Sequence, residues 1–315
     1  MRQRELVKLI AKLGRLTSTQ RDLVVQELSP KPKLATVEVI ERAAPARPPC
    51  PHCGAEHIVK NGRAGGLPRF LCRTCSRTFN ILTGTPLAHL HLRGKWLDQA
   101  EVLRDELSLT DACERLNVAR TTAFRWRHRF LAAPKELRAQ VLTGVAETDE
   151  TYFLRSCKGQ RGGINRPARK RGGKATKRGL SDEQVPVLVA RDRSGATADF
   201  ILDVDDSDHI VPRLRPILAK DVILCTEGNS VMMAVGRKLG VEHHAVNVAA
   251  GVRVRGAWHV QNVNSYHSRL KGWMRQFRGV ATKYLDSYLG WFRAIERSAR
   301  AGLNPASLLA ASVTH

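Results

Sequence analysis

Two Cys-x-x-Cys pairs, Cys50–Cys53 and Cys72–Cys75, constrain this chain more tightly than any other feature. Four thiolates from two knuckles at this separation close a tetrahedral Zn²⁺ site with no open position, which is a structural centre rather than a catalytic one. His52 and His57 lie nearby, but four cysteines suffice, so both are read as non-ligands. Between the knuckles, HIVK and PRFLC are strand-like and joined by a Gly-rich turn, so residues 47–82 read as a zinc ribbon. Lys60, Arg63, Arg69, Arg73 and Arg77 suit contact with a polyanion, though a solvated basic surface would look the same.

Charge names the kind of partner. The 315 residues carry 52 Lys+Arg against 29 Asp+Glu, a formal net charge of +23. That excess does not specify a fold, but it predicts salt-dependent binding to a nucleic acid. No run of 18 apolar residues exists, which argues against a membrane span, and the N-terminus lacks a secretory leader. With cysteines committed to metal rather than disulfides, the expected location is a reducing cytoplasm, on the nucleoid.

Residues 1–46 read as an N-terminal helical segment, with apolar spacing over 2–28, followed by helix-breaking linkers at SPKPK and AAPARPP. Residues 83–143 read as helical. Ala112–Leu116, a turn at Asn117–Val118 and a second helix over Ala119–Phe130 resemble a helix-turn-helix, with Thr110 or Asp111 as the cap. Arg120, Thr121, Thr122 and Arg125 at the start of the second helix suit base or phosphate contact in a major groove; an ordinary helical hairpin with a basic outer face is the alternative.

Residues 144–295 carry the chemistry. VAETDETYF (145–153) is β-branched and aromatic, hence a strand, with Glu147 and Asp149 on one face and Glu150 on the other. Two carboxylates on one face of a buried strand call for a positive partner, and a divalent metal fits. A Gly-rich basic run follows at 155–179, in which Arg169, Lys170, Arg171 and Lys174 are candidate DNA contacts. Strands are predicted at 185–193, 196–204, 221–228 and 241–248, with helices at 207–220 and 259–279. Three strands, helix, strand, helix, strand, helix is the order of an RNase H-like mixed sheet, so the fold class is α+β multidomain. Glu227 sits where the fourth strand ends. On the last helix Asn264, His267 or Ser268, and Lys271 share a face. His243, His244 and His259 take no assigned role, Trp258, Trp273 and Trp291 are expected in the core, and residues 296–315 read as a C-terminal tail.

The ordered set of CxxC–CxxC, helical region, DETYF, basic loop, Thr226–Glu227–Gly228 and H-x-x-N-x-N-S-Y-x-S-R-L-K resembles the zinc-ribbon insertion-sequence transposases of the ISXO-like (fifteen-ninety-five) family over roughly residues 48–290. The resemblance implies a DDE-type DNA transposase using Mg²⁺, with Mn²⁺ as substitute, and assembling as a homo-oligomer on element ends and target DNA. It implies Asp149 as the first metal ligand, Glu227 as the second, Asn264 in place of the third acid, and Lys271 as the phosphate-gripping lysine. The family pattern has T-D-G where this chain has Thr226–Glu227–Gly228. Glu keeps the charge but adds a methylene, so the alternative reading is a transposase-derived DNA-binding protein with weakened catalysis.

Overall fold

In a computed structural model the described residues are 12–14, 16–17, 20–21, 32–160, 162–164, 173–177, 181–247, 250–298 and 302–313. Of the predicted N-terminal helices, Lys12–Leu13 and Gln20–Arg21 are helical and the rest of that stretch lies outside the described residues. The first described long helix, α1 (Pro32–Ala43), begins inside the segment expected to be a helix-breaking linker. Proline is compatible with a first helical turn, where its missing N–H has no partner to lose, so Pro32 opens the helix rather than preventing it.

The ribbon is a three-stranded antiparallel sheet of β1 (Ile58–Ala64), β2 (Leu67–Cys72) and β3 (Thr78–Asn80). Its apolar residues, Leu67, Phe70 and Phe79, do not form a private core. They join Ile40 of α1 and the helices that follow, α2 (Trp96–Arg104), α3 (Leu109–Leu116) and α4 (Arg120–Phe130); the short α5 (Ala132–Glu136) comes next. The α3–α4 pair has the predicted helix-turn-helix spacing. Its cap is Ser108, whose side chain accepts from Asp111 N–H, rather than Thr110 or Asp111. Asn117 turns the chain in the left-handed region at φ 46°, a conformation its short polar side chain tolerates.

The second half is built on a five-stranded mixed sheet in the order β6-β5-β4-β7-β8. Its strands are β4 (Val145–Leu154), β5 (Gln184–Asp192), β6 (Thr197–Ile201), β7 (Ile223–Glu227) and β8 (Glu242–Val246). β4, β5 and β6 form an antiparallel meander, whereas β7 and β8 run parallel to β4. The connections are α6 (Ser207–Leu214) and α7 (Ser230–Leu239), which cover one face with Ile210, Leu214, Met232 and Val235. After a short hairpin of β9 (Val254–Arg255) and β10 (Trp258–His259), α8 (Gln261–Met274) and α9 (Leu285–Arg297) cover the other face.

The halves are fused rather than strung together. Trp273, Phe277, Tyr288 and Trp291 form an aromatic cluster, Trp291 donates to the Leu103 carbonyl at 2.9 Å, and Trp273 donates to Glu106 at 2.5 Å. The last stretch is not a loose tail: α10 (Pro305–Ala311) buries Leu308 and Leu309 in the core shared by the ribbon and the helices. Trp273 and Trp291 thus take the packing role expected of them, and Trp258 stacks on His244 at 4.1 Å. Among the described residues, no helix is long and apolar enough to cross a membrane.

Candidate metal and catalytic centres

The four ribbon thiols converge. All four sulfurs lie within 4.8 Å of one another, with Cys50–Cys75 and Cys53–Cys72 each at 3.7 Å. A tetrahedron of Zn–S bonds of about 2.3 Å requires sulfurs about 3.8 Å apart, so the cluster has the size for zinc. The Cys75 backbone N–H points at the Cys72 sulfur at 3.5 Å and holds that thiol down to about 6, towards the thiolate a metal needs. His52 and His57 are not in the cluster.

The second centre lies where β7 ends beside the middle of β4. β4 and β7 are parallel neighbours, with Thr148 paired to Thr226. Asp149 and Glu227 each follow that pair by one residue, so they emerge side by side on strands about 4.8 Å apart. Asp149 is 9% exposed. Its carboxyl is pushed up to about 7, first by burial and then by the charge of Glu227, with Lys271 pulling the other way. This is the signature of two acids short of positive charge, and the donor set fits a divalent cation.

Helix α8 lies over the pair. Asn264 and Lys271 are exposed on it, and Lys271 acts electrostatically on Asp149. Between them His267 is buried, with Nδ1 at 3.5 Å from Asp149. Burial, and after it the Lys271 charge, push His267 down to about 4, so it is a neutral imidazole at pH 7. Its place on the face was legible from the sequence, but its contact with Asp149 was not.

Two further acids, to which the sequence assigns no role, lie close by. Glu150, on the opposite face of β4, is pushed up to about 8 by burial and by the charges of Asp205 and Asp149. Asp205 follows β6, which is parallel to β4 across β5, so it reaches the same end of the sheet; it accepts from the Tyr152 hydroxyl at 2.5 Å. Glu147 does something else. It is fully buried and accepts from Asn262 and Val263 of α8, so it ties the strand to the helix. Of the unassigned histidines, His259 contacts Glu147 at 3.1 Å, His243 shares a hydrogen bond of 2.8 Å with Thr226, and His244 bonds Glu242.

On α4, Arg120, Thr121 and Arg125 are exposed and Thr122 is half-buried. Arg127 points inward, donating to the Leu107 carbonyl and lying over the Trp291 ring. In the basic loop Lys174 is exposed, while Arg169, Lys170 and Arg171 lie outside the described residues.

Residues 141–293, which include Asp149, Glu227, Asn264 and Lys271, match the ISXO2-like transposase domain. A protein of Halobacterium salinarum described as an uncharacterized protein in transposable element ISH50 is 29% identical over 258 residues, covering 78% of this chain and 83% of that protein. Among solved structures, similarity extends to the simian T-cell lymphotropic virus intasome in complex with PP2A regulatory subunit B56 gamma, at 12% identity, 62% and 68% coverage and a TM-score of 0.29. It extends also to a pre-cleavage Mos1 transpososome, at 12% identity, 70% and 79% coverage and a TM-score of 0.22. Over residues 141–293, then, this chain is similar to the ISXO2-like transposase domain.

Proposed function

We infer that the protein is an active insertion-sequence transposase, which binds element ends and catalyses metal-dependent DNA cleavage and strand transfer. The observation that carries this reading is the placing of Asp149 and Glu227 side by side on adjacent parallel strands, with His267 and Lys271 of α8 acting on Asp149. The sheet order supports an RNase H-like assignment, in which ligands collect at the carboxyl ends of the strands.

Asp149 and Glu227 would hold Mg²⁺ or Mn²⁺, with the Asn264 amide as a neutral third ligand. When bound, such an ion supplies Lewis-acid activation of the attacking oxygen and charge stabilisation at the leaving one. Lys271 meets a phosphate oxygen and offsets its charge in the transition state. Neutral His267 orients the Asp149 carboxylate. Zn²⁺ on Cys50, Cys53, Cys72 and Cys75 fixes the ribbon. Arg120, Thr121, Thr122 and Arg125, together with Arg169, Lys170, Arg171 and Lys174, contact double-stranded DNA. Two element ends must be joined, so the working form is a homo-oligomer on DNA, in the cytoplasm at the nucleoid.

The test is cleavage and joining of the element's own ends with Mg²⁺ or Mn²⁺. The natural chain is expected to be active and Asp149→Ala inactive. Activity only in Glu227→Asp would instead identify a DNA-binding protein with a damaged site.

A further inference from the structure

We propose that Glu147 is a positioning residue that locks α8, and with it Asn264 and Lys271, to the strand carrying Asp149. The proposal rests on the reading of those residues as the reaction centre. Glu147 lies in the middle of the sheet with 0% exposure, where an unpaired carboxylate would be costly. Its compensation comes from the start of one helix. One oxygen accepts from the backbone N–H groups of Asn262 and Val263, at 2.8 and 3.1 Å. The other accepts from the Asn262 side-chain amide at 2.6 Å and lies 3.1 Å from Nδ1 of His259, just before the helix. Arg193 approaches at 4.0 Å.

The N-terminal N–H groups of a helix have no intrahelical acceptor and are usually capped by a side chain close in sequence. The residue in that position, Val260, has no side chain able to cap. Glu147 takes over the task from 115 residues away, and its charge also suits the positive end of the helix dipole. Both oxygens of Glu147 are thus engaged by groups at the start of α8.

The consequence is geometric. Glu147 and Asp149 are two residues apart on one face of β4, and Val263 and Asn264 are consecutive on α8. A single carboxylate therefore sets the height and roll of the helix relative to the first metal ligand. A slip of one residue moves a helix by about 1.5 Å and turns it by about 100°, which would carry Asn264 and Lys271 off the site.

The test compares Glu147→Gln with the natural, zinc-loaded chain. Glutamine keeps the shape but turns an N–H₂ towards donors. Joining of element ends at saturating DNA is expected to fall about 10²-fold, the scale of an approximately 1 Å misplacement. The Mn²⁺ concentration for half-maximal rate should rise, and amide exchange should quicken at 262–266. Affinity for end DNA without Mg²⁺ or Mn²⁺ should stay unchanged, because the α3–α4 pair is untouched. Asn262→Ala, which removes one of the bonds, should shift the same readouts in the same direction by less, and it stands in if Glu147→Gln does not fold. Unchanged rate, Mn²⁺ dependence and exchange would overturn the proposal, as would a loss of thermal stability alone. If the natural chain joins no ends, the transposase reading falls, and the exchange at 262–266 still decides whether Glu147 holds the helix.

Discussion

Asp149 and Glu150 are adjacent, face opposite sides of the sheet and are both pushed up, to about 7 and about 8. A carboxyl raised on folding binds its proton more tightly in the native state, so its contribution is present below the unfolded value near 4 and is lost as pH climbs through the folded value. His267, pushed down to about 4, has the opposite sign: its contribution is present above about 6.5 and is lost as pH falls. Between about pH 4 and 6.5 the two effects oppose each other; above that only the acids titrate. Metal-free protein should therefore lose stability from pH 6.5 to 8. Mg²⁺ or Mn²⁺ should raise the melting midpoint more at pH 8 than at pH 6, as differential scanning fluorimetry would register. Glu150→Gln removes one of the charges raising Asp149, so the metal-induced shift should begin at lower pH in that variant.

At the level of elements, the join between the halves concentrates on α9. Arg293 pairs with buried Asp199 of β6 and donates to the Pro134 and Lys135 carbonyls of α5. Removing the arginine leaves a buried carboxylate alone, so Arg293→Ala should cost about 3–5 kcal/mol in denaturant unfolding. Gly290 lies against the same helix, where a Cβ would come within 2.5 Å of the Lys135 Cα. Gly290→Ala should cost about 1–3 kcal/mol through overpacking. On α4 the exposed arginines behave differently. Arg120→Ala and Arg125→Ala should leave stability within about 0.5 kcal/mol and each lower the salt slope of DNA binding by about one, measured by anisotropy titration.

Across the whole molecule, the ribbon shares one core with α1, the helix-turn-helix-like pair and α10. Cys50 and Cys72 are buried in it. A metal held by these cysteines would therefore be coupled to more than its own loop. Chelation of Zn²⁺ should loosen amide protection beyond the ribbon, in α2 to α4 and α10, while β4, β5 and β7 keep theirs; hydrogen exchange would resolve the two. Protection lost only between residues 50 and 80 would show that the ribbon is an independent module.

The sequence by itself determined what short-range rules encode. The CxxC spacing specified a four-thiol cluster, β-branched runs gave the five strands in order, and the 3.6-residue period put Asn264, His267 and Lys271 on one face of a helix. Asp149 was conspicuous as an acid inside a β-branched run and Glu227 as an acid where a strand ends. What the tertiary structure alone decided involves partners far apart in the chain. Glu147 is distinguished from Asp149 only by meeting a helix terminus 115 residues on. Arg127 differs from Arg125 because it is covered by Trp291. Asp205 joins the acidic end of the sheet because β6 runs parallel to β4 across β5. A carboxylate or guanidinium looks the same in every sequence, and its role follows from which charges and dipoles the fold brings within a few ångströms of it.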